Sequence, residues 1–428
     1  MMRRFDFSIP VLGAANTRSP LLLSKIPNEL AASYTPDGAR VLYDPSGENP
    51  EYAFTMAGPR EMIFFKGKEV VAGIVHCGGL CPGMNNITRG LVRRLWYSYG
   101  VRKIFGLRYG LLGLTARSPA APMPLDPAII HDIHLLGGTI LGSSRGPQPV
   151  AEMVDFLNRM GINILFMVGG DGTMHAALSI YEEVRRREAK IAIIGVPKTV
   201  DNDLLFTEKT FGFDTAVSIA AEAIRAAHVE AMGTINGFGL VHLMGRHSGF
   251  IAASATMASR EANLVLVPEV PFTLQGDHGI LQYLQKRLQT NGHAVMVVAE
   301  GAGQEHLPES KARDASGNLK LADIGVFLRD LIIREFHSTG LSMKYIDPSY
   351  IVRAAPANAS DSIFCGQLAD EAVHAAMAGK TGMVVGLWQG RFTYVPLTAV
   401  TTGRQVILPA STFWRNVLEA TGQPYSFS

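Results

Sequence analysis

The residues best able to act on a phosphate sit in Gly-rich strings that follow apolar runs. In GGDGT, residues 169–173, the glycines let the backbone approach an anion closely. The helix that follows aims its first N–H groups at it. Asp171 can reach a phosphate only through a cation, because two anions repel, so this residue predicts Mg²⁺ between donor phosphates and protein. The same string also reads as a plain strand-to-helix turn. In PKTVDND, residues 197–203, Asp201 and Asp203 stand two apart at a strand end. Crowding two carboxylates there is unfavourable without a function or a cation nearby. Asp201 is the candidate general base for a hydroxyl, and Thr199 is a hydrogen-bonding partner for a transferring phosphoryl group. Asp203 would orient a metal-bound water or hold the loop. An Asx-rich turn is the plain alternative, and the position one strand after GGDGT weighs against it.

Further strings have the same form. GGLCPGMN, residues 78–85, offers Gly78 and Gly79 to a phosphate or ribose, or is a simple turn. GTILGSSRG carries Arg145, whose guanidinium matches phosphate with paired donors and keeps its charge. MGRHSG supplies Met244 and Arg246, EGAG supplies Glu300, and KYIDPSYIVR supplies Lys344, Tyr350 and Arg353. A sugar phosphate needs carboxylates for its hydroxyls and cations for its phosphate, and this set offers both. His247 reads as a packed or hydrogen-bonded histidine rather than a catalytic one.

The elements that must position these strings alternate regularly from residue 69 onward. Apolar runs predict strands at 69–77, 103–108, 163–168, 191–196, 239–244, 264–267 and 294–299. Helical spacing predicts helices at 85–97, 151–160, 174–187 and 323–336. This is the pattern of α/β architecture with mostly parallel sheets and helices on both faces. Two doubly wound domains fit better than one very wide sheet. The chemistry-bearing strings then fall at the carboxyl ends of strands, where such folds bind ligands. Residues 1–68 differ: Pro10, Pro20, Pro27, Pro36, Pro45, Pro50 and Pro59 interrupt scattered apolar residues. They predict an extended arm that packs on the body or on a neighbour; a disordered tail is the plain alternative, against which 21–23 and 62–65 are apolar enough to pack.

Composition narrows the classes. The chain has 428 residues, 47% of them hydrophobic, enough for a large core. A net charge of +2 gives no reason to expect nucleic acid as a partner. No window of about 20 apolar residues exists to span a bilayer. The start, with Arg3 and Arg4, lacks a signal-peptide core, so a cytoplasmic protein is expected. Three cysteines, Cys77, Cys81 and Cys365, read as buried or loop thiols in a reducing compartment; CGGLC has no second pair or His cluster to make it a metal site.

Taken together, GGLCPGMN, LGSSRG, GGDGT, PKTVDND, LMGRHSGF, AEGAG and YIDPSYIVR occur in the order and rough spacing of the phosphofructokinases. The resemblance covers residues 57–390. AGPRE at 57–61, CGGLCPG and YIDPSYIVR resemble the branch containing plant and trypanosomatid ATP-dependent enzymes. It implies a fold of two Rossmann-like domains with an N-terminal arm, 1–68. A nucleotide-donor domain would comprise 69–212 with 352–395, and a fructose 6-phosphate domain 213–351 with 396–428. It implies Mg²⁺-assisted transfer from ATP to the 1-hydroxyl of fructose 6-phosphate in a homo-oligomer, dimer or tetramer. Asp201 resembles the base and Asp171 the Mg²⁺-linked carboxylate. Gly79, Arg145, Gly146, Gly170, Asp171, Gly172 and Thr173 resemble donor contacts, with Arg145 and Lys198 also at the reacting centre. Thr199, Val200, Asp201, Met244, Gly245, Arg246, Glu300, Tyr350, Ile351, Val352 and Arg353 resemble the sugar-phosphate site, with Lys344 as a phosphate contact.

Two departures qualify this. Short bacterial ATP enzymes have Gly where this chain has Lys198, whereas pyrophosphate-dependent relatives have Lys there and Asp where this chain has Gly172. An aspartate at 172 would add bulk and negative charge where an α-phosphate must lie, so Gly172 favours ATP. Pyrophosphate is the alternative donor. Gly237 stands near where short bacterial enzymes place an arginine that reaches a neighbouring subunit's substrate. Its absence puts that shared site in doubt. An NAD or lipid kinase would explain GGDGT but leave MGRHSG and YIDPSYIVR without purpose. A non-catalytic regulatory homologue should have lost Asp171, Asp201 or Asp203.

Overall fold

The computed structural model of the chain describes residues 5–26, 33–44, 46, 49, 52–308, 312–313 and 319–427. The chain divides into two compact units. One comprises Met1–Thr199, Leu204–Gly212 and Ala354–Arg404; the other comprises Val200–Asp203, Phe213–Arg353 and Gln405–Ser428.

The first unit is built on a nine-stranded sheet among the described residues. Its order is Arg40–Leu42, Ala53–Met56, Arg391–Pro396, Met383–Trp388, Ala192–Pro197, Ile164–Gly169, Val71–His76, Lys103–Leu107 and Met123–Pro124. The run from Met383–Trp388 to Lys103–Leu107 is parallel, and the outer strands are antiparallel. The central strands are buried nearly throughout, which is why they read as continuous apolar runs. Val75, Leu165, Met167 and Ile193 pack with Met153, Val154 and Leu157 of helix Val150–Met160 and with Met174, Ala177 and Ile180 of helix Asp171–Arg186. Helix Ala359–Met377 packs against Ala192–Pro197 and against helix Met84–Arg93. That helix pair crosses at Gly90, where a β-carbon would lie 2.6 Å from the Ala369 β-carbon.

The arm is part of this unit. Thr17–Arg18 pairs with Met62–Ile63, and Arg40–Leu42 and Ala53–Met56 lengthen the large sheet beyond Arg391–Pro396. Phe7 and Phe54 are buried in the main core, edge-on at a centroid distance of 4.6 Å. Burying Phe54 alone contributes roughly 1.5–3 kcal/mol, so the arm is anchored rather than draped. Of the segments expected to pack, Ile63 and Phe65 are buried, while Leu22 and Met62 are exposed. Arg3, Arg4, Pro27, Pro45 and Pro50 lie outside the described residues.

The second unit holds a four-stranded parallel sheet among the described residues, ordered Leu264–Leu266, His293–Ala299, Gly237–Leu243 and Ser342–Ile346. Phe238 and Leu240 face Ile280, Leu284, Ile324 and Leu328 of helices Ile280–Asn291 and Ile324–Glu335. Gly239, on the opposite face, lies against Ala227 of helix Phe213–Met232. Strand alternation therefore covers both faces with helices. The α/β class with mostly parallel sheets is as expected. No helix among the described residues is long and apolar enough to cross a membrane.

One local expectation is corrected. The helix after GGDGT begins at Asp171, not at 174. Gly170 is extended at the cap position, and an acidic residue in the first turn suits the positive end of the helix dipole.

Candidate active site

In the first unit, three loops leave the carboxyl ends of neighbouring parallel strands. They follow Val71–His76, Ile164–Gly169 and Ala192–Pro197. Lys198 draws them together. Its side chain is buried, and Nζ donates to the Gly79 carbonyl at 2.6 Å. Its backbone N–H donates to the Gly169 carbonyl at 3.0 Å. A β-carbon at Gly78 would sit 3.4 Å from that Nζ, and one at Gly79 would sit 3.5 Å from Arg145 Nη2. The Ser143 hydroxyl donates to the Gly78 carbonyl at 2.6 Å, tying in the loop that carries Arg145 and Gly146. Gly146 has φ +101°, a conformation that glycine supplies without strain. A β-carbon at Gly170 would lie 3.3 Å from the Lys198 carbonyl and 3.7 Å from the Thr199 β-carbon. The Thr199 carbonyl accepts from the Thr210 hydroxyl at 2.7 Å. Gly79, Arg145, Gly170, Lys198 and Thr199 are thus brought together.

Helix Asp171–Arg186 opens onto this cluster. The first-turn N–H groups of a helix have no acceptor within it, so the start at Asp171 and Gly172 presents donors to an anion. A β-carbon at Gly172 would meet nothing within 4 Å among the described residues. Thr173 is buried behind, where its side chain fills the space a β-carbon at Gly169 would need. The Asp171 carboxylate accepts from Arg404 Nη2 at 2.7 Å and lies 3.5 Å from His175 Nδ1 one turn on. Beneath the cluster, burial first and the Lys198 charge second push the His76 imidazole down to about 3. It stays neutral between the hydroxyls of Thr139, 2.7 Å away, and Thr88, 3.0 Å away. Burial likewise pushes the Cys77 thiol up to about 12, so it is no nucleophile. All three cysteines are buried free thiols.

In the second unit, the loops after Gly237–Leu243, His293–Ala299 and Ser342–Ile346 leave adjacent parallel strands. The Gly301 N–H donates to the Gly245 carbonyl at 3.1 Å, and the Glu300 N–H to the Leu243 carbonyl at 2.9 Å. A β-carbon at Gly301 would overlap the Arg246 carbonyl oxygen. Gly245 has φ +132°, and a β-carbon there would lie 2.6 Å from the Ser248 carbonyl. The Ser248 hydroxyl donates to the Asp201 carbonyl at 3.1 Å, so segment 200–203 joins the Met244–Arg246 and Glu300 loops. Within that segment Val200 and Asp203 are buried, and Asn202 is left-handed at φ 54°, which Asn tolerates better than most residues.

The third loop starts with a local turn. The Asp347 carboxylate accepts the Ser349 N–H at 2.9 Å, setting the short helix Ser349–Ala354. His242, whose Nδ1 lies 3.6 Å from Asp347, is the main cause holding that carboxyl below the usual range. On this helix Tyr350 and Ile351 are exposed, Val352 is buried, and the Arg353 guanidinium lies 4.9 Å from the Tyr350 ring centroid. Arg353 Nε is buried without a hydrogen-bond partner among the described residues. A donor left this way is expensive unless an acceptor arrives, and a ligand phosphate would provide one.

Some expected residues stand differently. Lys344 lies within its strand, opposite Gly239, with Nζ 3.8 Å from the Glu230 carboxylate. His247 is exposed, so of the two expected states, packed or hydrogen-bonded, packing does not apply. Gly237 is the first residue of its strand, and any β-carbon would overlap the Ala231 carbonyl. No side chain fits there without moving the backbone. Three supporting residues had not been singled out. Ser248 and Gly301 lie inside MGRHSG and EGAG, so the strings themselves held the signal. Arg404 carries none, being 233 residues from its partner Asp171.

Two units of helix-flanked parallel sheet, each with Gly-rich loops at the carboxyl ends of its strands, define a doubly wound α/β protein suited to phosphorylated ligands. The chain belongs to the phosphofructokinase family of enzymes, whose profile matches residues 71–376. An ATP-dependent 6-phosphofructokinase of Borreliella burgdorferi is 44% identical over 438 residues, covering 98% of this chain and 97% of its own. The ATP-dependent 6-phosphofructokinase of Trypanosoma cruzi is 46% identical over 372 residues, covering 86% of this chain and 76% of its own. A pyrophosphate-dependent phosphofructokinase of Marinobacter aquaeolei superposes with a TM-score of 0.67 at 22% identity, over 84% of this chain and 93% of that one. That likeness speaks to the fold alone.

Proposed function

We propose that the chain transfers the terminal phosphoryl group of ATP to the 1-hydroxyl of D-fructose 6-phosphate, giving fructose 1,6-bisphosphate and ADP, as a step of glycolysis. The observation that carries the donor choice is the open space around Gly172 at the helix start. Near-full-length relatives named as ATP-dependent enzymes support it.

In this reading Asp201 accepts the proton of the 1-hydroxyl as its oxygen attacks the phosphorus, and the bond to the ADP oxygen breaks in line. Thr199, Lys198, Arg145, Gly79, Gly146 and the Gly170–Thr173 turn hold the donor and the transferring group. Val200, Met244, Gly245, Arg246, Glu300, Tyr350, Ile351, Val352 and Arg353 hold the sugar phosphate, with Arg353 Nε as a preformed donor. Lys344 belongs to this set through the resemblance and would have to leave Glu230 to act. Catalysis rests on positioning and charge stabilisation.

Asp171 fits Mg²⁺. It is a hard oxygen donor at a helix start, already in contact with a cationic side chain, and Mg²⁺ commonly takes one or two carboxylates plus phosphates and water. When bound there, the ion would supply positive charge that neutralises the charge developing on the transferring phosphoryl group. Assembly as a homo-oligomer, dimer or tetramer, and residence in the cytoplasm complete the proposal.

Assay of the purified chain and of Gly172→Asp with ATP and with pyrophosphate tests the donor. Wild type is expected to use ATP, and the variant to lose most of that activity. A β-carbon at 172 meets nothing within 4 Å among the described residues, and an acidic residue suits a first helical turn, so the variant should melt close to wild type. Use of pyrophosphate with no use of ATP by wild type would reverse the donor assignment.

A further inference from the structure

We propose that Arg404 stands in for the divalent cation at Asp171 and exchanges with it when the metal–nucleotide binds. This rests on the reading of Asp171 as the metal-linked carboxylate. Arg404 Nη2 donates to Asp171 Oδ2 at 2.7 Å, and both side chains are largely withdrawn from solvent, at 31% and 17% exposure. An arginine keeps its charge at any working pH. It therefore leaves a carboxylate only for a better anion or when a stronger cation displaces it. A metal–nucleotide brings both at once: the cation takes the carboxylate, and the phosphates offer the planar guanidinium a matching acceptor.

Arg404 is anchored by its backbone as well as by its side chain. Its backbone is bridged antiparallel to Leu204. The next residue, Gln405, donates its N–H to the Asp203 carbonyl at 2.9 Å. Arg404 is thus fixed to the chain immediately after the 200–203 segment that carries Asp201. No motif of the sequence contains Arg404.

Mn²⁺ binding, read by electron paramagnetic resonance on the full-length protein, tests this with and without ADP. In Arg404→Met the competing cation is gone. Mn²⁺ without nucleotide should bind about tenfold tighter than to wild type, the scale of one lost charge pair in a partly buried site. Mn²⁺ with ADP should bind more weakly, because the phosphates lose the guanidinium. Arg404→Gln should move both affinities the same way and serves if the methionine variant does not fold. A merely structural arginine would lower both affinities together with the melting temperature. Unchanged or weaker Mn²⁺ binding without nucleotide in a folded variant overturns the proposal. Asp171→Asn separates the two claims: if it binds Mn²⁺ with ADP as wild type does, the metal reading fails and the exchange with it. If it loses that binding while Arg404→Met leaves nucleotide-free Mn²⁺ affinity unmoved, only the exchange fails.

Discussion

Lys198 Nζ and the Gly79 carbonyl oxygen are 2.6 Å apart, joining residues 119 positions distant in sequence. The bond spans the strand Ile164–Gly169 that lies between theirs. A buried ammonium needs such partners, and Lys198 uses this one to tie the Gly78–Gly79 turn to the loop after Ala192–Pro197. Lysine here is therefore part of the frame that joins these loops, which the proposed function takes as the donor pocket.

Lys198→Met should uncouple that frame. Hydrogen bonds to charged groups are worth about 1.5–3 kcal/mol, so kcat/KM for ATP should fall roughly ten- to a hundredfold. Steady-state kinetics with each substrate varied would check it. The KM for fructose 6-phosphate should change less than that for ATP, and an unaltered kcat/KM for ATP would remove Lys198 from the donor site.

Gly301→Ala probes the proposed sugar-phosphate side. The new β-carbon would overlap the Arg246 carbonyl, and backbone cannot yield as the end of a flexible side chain does. The Met244–Arg246 loop should shift. A misplacement of about 1 Å costs on the order of a hundredfold in rate. The KM for fructose 6-phosphate should rise while nucleotide binding, read by calorimetry, stays near wild type. Wild-type kinetics in the variant would separate this loop from substrate.

Glu371 should set part of the pH dependence of stability. It lies on helix Ala359–Met377, with Oε2 buried and without a hydrogen-bond partner among the described residues. Burial first and Asp370 second raise its carboxyl from 4.5 to about 7, against the opposing charges of Arg60 and Arg94. The folded chain then binds this proton more tightly than the unfolded chain. Its contribution is complete below pH 4.5 and is lost as pH rises through about 7. The upper bound is about 3 kcal/mol. Urea midpoints measured from pH 4.5 to 8 should fall less steeply for Glu371→Gln than for wild type. Identical slopes would show that Glu371 ionises normally in the fold.

Much of this was legible in the sequence because buried parallel strands leave apolar runs and the loops after them leave Gly-rich strings. Val71–His76, Ile164–Gly169 and Ala192–Pro197 announce themselves in that way. The sheet's antiparallel extension does not. Ala53–Met56 is four residues long, and its partner Arg391–Pro396 lies far along the chain. The helix start at Asp171 was hidden by Gly172, a weak helix former in an interior that is tolerated in a first turn. The Asp171–Arg404 pair was hidden by distance alone. Spacing rules reach only a few residues, and a lone arginine outside any motif looks like any surface arginine.

Asp201→Ser most directly tests the central claim that a carboxylate in segment 200–203 accepts the sugar's proton. Turnover with ATP and fructose 6-phosphate should fall by about 10²–10⁴, while equilibrium binding of each substrate and the melting temperature stay close to wild type. Turnover at the wild-type level in a folded, substrate-binding variant would contradict the account.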